Sequence, residues 1–97
     1  MIKEYKSGRY MMATKAIHML GDISRDVPNM CVINKEDEEN YIGMWVEGFG
    51  FFDVKFPKET TRELTKEEID KQVGKRLAIN SNPPHYQFKR EDFEWDE

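Results

Sequence analysis

The sequence predicts a mainly β fold, a small barrel of short strands with a short C-terminal helix and an acidic tail. Three observations carry that reading. Apolar residues recur at period two on both sides of Gly48-Phe49-Gly50, within Tyr41–Phe56. Met30-Cys31-Val32-Ile33 is a short apolar run bounded by Asn29 and Asn34, as strands are. Leu64-Thr65-Lys66-Glu67-Glu68-Ile69 carries the pattern of a helix N-terminus, a Thr followed three residues later by a Glu.

The 97 residues predict one domain, 1–97, with the barrel over about 15–65, the helix over about 66–78 and a C-terminal segment with its tail over 80–97. No apolar run reaches the ~18 residues of a membrane span, and Met1–Lys6 lacks the apolar core of a signal peptide. Cys31 is the single cysteine, so no intrachain disulfide forms and a reducing cytosol is the expected compartment. Net charge is −4. Five of the 19 acids lie in Glu91–Glu97; the other 14 face 15 bases, so the body is close to neutral. That balance argues against a chain built chiefly to hold a nucleic-acid backbone, which needs clustered Lys and Arg.

The elements follow in order. Before Asn29 the spacing is ambiguous: Met12, Ala16, Met19, Leu20 and Ile23 fit a helical face, whereas Ile17 and Met19 against His18 and Leu20 fit a strand. A strand at about Lys15–Leu20 is the preferred assignment. Asn29–Asn34 is the next strand, and the polar Lys35–Asn40 is a solvated hairpin loop. In Tyr41–Glu47, Ile42, Met44 and Val46 share one face and Tyr41, Gly43 and Trp45 the other. After the Gly turn, Phe52, Val54 and Phe56 share a face, and Pro57 ends that strand or lies on an edge. Thr65 caps a helix whose face continues through Ile69, Val73 and Leu77, with Gly74 ending it or tolerated within it. Asn80–Pro84 breaks any helix, and Tyr86 and Phe88 alternate as an edge strand over His85–Lys89. The expected core is Met30, Val32, Ile42, Met44, Val46, Phe52, Val54, Phe56 and Leu64.

This succession resembles the small SH3-like β-barrels found as short accessory proteins of phages and prophages of Gram-positive bacteria. The resemblance runs from Lys15 to Thr65 through Met30–Ile33, the acidic loop, Ile42–Val46, Gly48–Gly50, Val54–Phe56 and Arg62–Leu64. It implies an SH3-like barrel. It implies no activity, because such barrels serve many functions.

The residues that bear chemistry are few. Cys31, His18 and His85 form no nucleophile signature, and two separated histidines do not make a metal site. Cys31 reads as a small packed hydrophobe and His18 as a packed histidine in an apolar run. Glu36-Asp37-Glu38-Glu39 lacks the alternating oxygens and Gly of a Ca²⁺ loop and reads as a solvated turn. No cofactor, metal or catalytic residue is expected. If Ile42, Met44 and Val46 face the core, Trp45, Phe49 and Phe51 point outward near one turn, unless the C-terminal third covers them. Lys55 and Arg62, with Lys58 and Lys66, follow these aromatics. Phe93 and Trp95 alternate with acids in the tail, as in a short linear motif. The candidate binding residues are therefore Trp45, Phe49, Phe51, Lys55, Arg62, Phe93 and Trp95. The expectation is a non-enzymatic binding module with a protein partner, of the phage accessory type and directed at a host factor such as a nucleic-acid enzyme. The alternative is a nucleotide or single strand stacked on the Trp45/Phe51/Lys55 face.

Overall fold

The computed structural model describes residues 1–46, 53–77 and 86–94. The protein is mainly β and packs as two compact units, Met1–Glu63 and Leu64–Glu97.

The first unit is one antiparallel sheet. Its strands are β1 (Lys3–Ala16), β2 (Ile23–Glu36), β3 (Asn40–Trp45), β4 (Val54–Pro57) and β5 (Thr61–Arg62). They lie in the order β4-β3-β2-β1-β5. The sequential strands β1 to β4 form a meander, and β5 returns to the far edge, where Met12 and Ala13 pair with Arg62 and Thr61. A 3-10 turn, Lys58–Thr60, links β4 to β5. The central hairpin read from the alternation is present, with Gly43 opposite Val54 and Tyr41 opposite Phe56. Its Gly48–Gly50 turn lies outside the described residues. Pro57 is the last residue of edge strand β4, where its missing N–H is tolerated.

The strand expected over Lys15–Leu20 is corrected. The strand is Lys3–Ala16, and the chain turns over the residues that follow, with Ala16 opposite Ile23. Local spacing left this segment open; pairing with β2 decided it, because β2 extends six residues upstream of Asn29. The β1–β2 ladder shifts register twice. Between Glu4 and Arg9 the surplus residues are in β1, and between Asn29 and Ser24 they are in β2. Such irregularities bend and twist a long hairpin locally.

One face of the sheet is the core. Met11, Ala13, Cys31, Ile33, Trp45, Val54 and Phe56 are all buried. Small residues oppose large ones: Cys31 lies across from Trp45, and Gly43 across from Ile33. Trp45 meets Phe56 edge-on at 5.1 Å between ring centroids. A Cβ at Gly43 would stand 1.9 Å from the Val32 carbonyl oxygen, so only glycine permits this approach of β3 to β2. This corrects the expected core. Ile42, Val46, Val54 and Phe56 are buried as expected, but Met30, Val32, Met44 and Leu64 are only half-buried, and Phe52 lies outside the described residues. Met30–Ile33 is apolar at every position, so alternation could not choose its inner face. Packing chose Cys31 and Ile33, because the small Cys31 leaves room for the indole opposite.

Among its described residues the first unit holds no α-helix. Just beyond β1, Ile17 exchanges both backbone hydrogen bonds with Lys55 of β4, at 2.7 and 3.1 Å. This is a single bridge, and the sheet is not closed into a continuous ladder.

In the second unit, α1 spans Lys66–Gln72 with the predicted capping box. The Thr65 hydroxyl accepts from Glu68 N–H, and the Glu68 carboxylate accepts from Thr65 N–H. The helix is shorter than 66–78 because Gly74, at φ +90°, takes a left-handed conformation just past its end. Short strands β6 (Arg76–Leu77) and β7 (Tyr86–Gln87) pair antiparallel, so the expected edge strand is present with a partner. A 3-10 turn at Arg90–Phe93 follows, tied to α1 by Arg90 and Asp70 at 2.7 Å.

Candidate functional site

The β1–β2 tip is built from Ile17-His18-Met19-Leu20-Gly21-Asp22. Turns ordinarily favour Gly, Pro, Asn, Asp or Ser, and here only Gly21 and Asp22 conform. The tip is ordered from within. Gly21 N–H donates to the His18 carbonyl, and Leu20 N–H donates to His18 Nδ1 at 3.1 Å. His18 therefore organises the turn while its neighbours face solvent. Met19 is 93% exposed and Leu20 78% exposed, beside the partly exposed Ile17. A cavity of about 510 Å³ adjoins them, lined by Ile17, His18, Met19, Asp53 and Lys55. Asp53, at φ 57°, pairs with Lys35 at 3.7 Å, while Lys55 is exposed on β4.

A second locus lies where β2 departs from β1. Arg25 sits in the surplus stretch, and its guanidinium stacks over the Trp45 ring at 4.5 Å. Arg25 Nε and Trp45 Nε1 are both buried, and neither has a hydrogen-bond partner among the described residues.

The opposite end of the sheet is a closed polar network. The Glu36 carboxylate accepts from Tyr5 OH and from Lys58 Nζ, each at 2.6 Å. Arg9 stacks on Tyr5 at 3.8 Å, and Lys58 lies over Tyr41 at 5.3 Å. The hydrogen bond from Lys58, reinforced by that from Tyr5, holds the Glu36 carboxyl below its ordinary pKa. Burial, and then the bond to Glu36, pushes the Tyr5 hydroxyl well above its ordinary value. The acidic turn beyond Glu36 is shaped by Asp37, whose carboxylate accepts from the N–H groups of Glu39 and Asn40. Cys31 is fully buried, its Sγ–H donates to the Met11 carbonyl, and burial pushes its thiol up to about 12. A thiol so placed is a packing group, as the sequence suggested.

The structure separates the residues that the sequence had grouped. Trp45 is 2% exposed and faces the core, which corrects its expected outward orientation. Lys55 lies between the buried Val54 and Phe56 and points to the other face, so Trp45 and Lys55 do not share a surface. Arg62 is exposed in β5, with Nη1 donating to the Glu63 carbonyl. In the second unit, Phe93 is half-buried and its ring lies 5.7 Å from that of the buried Phe88. Phe49, Phe51 and Trp95 lie outside the described residues. The tip was missed although its signal was present: an apolar run ending in Gly21, read as strand. Arg25 carried no signal in the sequence.

Among the described residues no group of three or more His, Cys, Asp or Glu is placed to hold a metal ion, and no helix is long and apolar enough to cross a membrane. No family model, curated protein or solved structure matches this chain.

Proposed function

We propose that the chain is a small non-enzymatic binding module of the SH3-like barrel type, which engages a protein partner through its β1–β2 tip. The observation that carries this is the exposure of Ile17, Met19 and Leu20 side by side at an ordered turn next to a cavity. Contiguous exposed apolar side chains mark interaction surfaces. Methionine suits such a surface, since its unbranched thioether adapts to a partner. A barrel assignment is supported by the strand order, the 3-10 turn before β5 and the Ile17–Lys55 bridge. The setting we propose, a phage or prophage accessory protein acting in the cytosol of a Gram-positive host on a host enzyme, rests on the sequence resemblance alone.

The nucleotide or single-strand alternative would need a stacking platform other than Trp45, which lies on the core face. Cross-linking in lysate of Gram-positive cells, with wild type and Met19→Asp/Leu20→Asp side by side, tests the tip. The expected result is a specific protein captured by wild type and lost with the double variant. Equal capture by both, or capture by neither, overturns the proposal. Retention of a labelled oligonucleotide at low salt by both proteins would favour the alternative.

A further inference from the structure

We propose that Arg25 and Trp45 form a binding site for an oxyanion, a carboxylate or a phosphate monoester, distinct from the apolar tip. The argument starts from the two orphaned donors. An indole N–H can only donate, and a guanidinium carries five donors and no acceptor. Buried donors of this kind nearly always have a partner. Trp45 Nε1 and Arg25 Nε have none among the described residues. Stacking over the indole at 4.5 Å compensates part of the Arg25 charge but satisfies neither N–H. Arg25 also makes no ion pair among the described residues.

The complement of such a pair must accept more than one hydrogen bond and carry negative charge. A carboxylate or phosphate does both, and the planar guanidinium fork matches either. The stacking also holds the guanidinium in place, so less of its side-chain freedom remains to be lost on binding. Arg25 is half-buried whereas Trp45 is sealed, so the arginine side is where a ligand would have to enter, with Arg25 moving to admit it. Arg25 lies in the stretch of β2 that has no partner in β1, where the strand can give way without breaking ladder bonds.

The test follows the indole N–H resonance of Trp45 in the full chain by heteronuclear NMR, assigned with a Trp95→Phe variant. Acetate and methyl phosphate replace chloride at constant ionic strength. The expected result is a saturable shift of that resonance with at least one of the two, and the tighter probe tells carboxylate from phosphate. Arg25→Gln should weaken the apparent affinity about tenfold or more, the loss of one charge-assisted hydrogen-bonding partner. If Arg25→Gln does not fold, the wild-type titration decides alone. A resonance that moves with neither probe overturns the site, as does an Arg25→Gln protein that folds and titrates like wild type. Met19→Asp/Leu20→Asp should titrate like wild type, so this site and the apolar tip stand or fall separately.

Discussion

The two ends of the β1–β2 hairpin are built from the same pair of strands and treated in opposite ways. At the open end the polar groups are answered: Glu36 takes hydrogen bonds from Tyr5 and Lys58, and Arg9 covers the Tyr5 ring. At the tip, Met19 and Leu20 stand in solvent, while His18 and the Lys55 bridge hold the turn beneath them. The open end spends its side chains on one another, so it stabilises the fold and offers little to a partner. The tip keeps its backbone ordered and leaves its apolar side chains exposed. Paired polar side chains and exposed apolar ones thus lie at opposite ends of one ladder.

Removing what the two ends share should have the largest effect. Phe56→Ala empties the core face beneath Trp45 and should destabilise the first unit by about 3–5 kcal/mol. Amide exchange should rise together at Ala16 and Glu36, near the two ends. A near-native urea midpoint would mean that the two ends do not rest on a common core.

Next in size is Glu36→Gln, expected to cost about 1–2 kcal/mol by weakening a charge-assisted pair of hydrogen bonds. Here the effect should be confined to the open end. Exchange at Tyr5 and Lys58 should quicken while exchange at Ile17 and Lys55 stays as it was; quickening at both ends would erase the distinction drawn here.

A pH series sharpens the same point. The folded pKa of Glu36 lies below its ordinary 4.5, so its contribution is fully present above that value. It is lost as pH falls below about 4.5 through the folded pKa. Thermal midpoints of wild type and Glu36→Gln should therefore converge in acid and separate toward neutrality. A gap independent of pH would mean that the carboxylate charge is not what the network uses.

The smallest stability effect is expected at the tip. Met19→Asp/Leu20→Asp replaces exposed side chains, so its midpoint should stay within about 0.5 kcal/mol of wild type even as partner capture is lost. A large fall in stability would show that the tip is packed in solution and that the contrast between the ends is not real.

Much of the fold was legible in the sequence, and the reason differs by element. The β3–β4 hairpin was readable because apolar residues recur at period two along both strands and its ends are marked by Gly and Pro. The α1 start was readable because a capping box is purely local, and Thr65 and Glu68 make both of its bonds. The face of β2 was not, because four consecutive apolar residues carry no alternation. The outward placement of Trp45 followed from assigning Ile42, Met44 and Val46 to the core, yet Ile42 and Val46 are buried as well, so β3 is buried on both faces. Two buried faces defeat a rule that assumes one.

The candidate site was less legible than the fold. The sequence showed an apolar Ile17–Leu20 run but not that it would turn, since turning depends on Ala16 finding Ile23 across the hairpin. It showed Arg25 and Trp45 twenty positions apart, with nothing to bring them together. By itself the sequence determined the mainly β class, the central hairpin and the capped helix, because each follows from neighbouring residues or from composition. Only the tertiary structure decided which face of each strand is buried, where β1 begins, and that Arg25 lies over Trp45. Those depend on register between distant strands, and register is settled by the fit of side-chain volumes across the whole sheet, here Cys31 and Gly43 making room for Trp45 and Ile33.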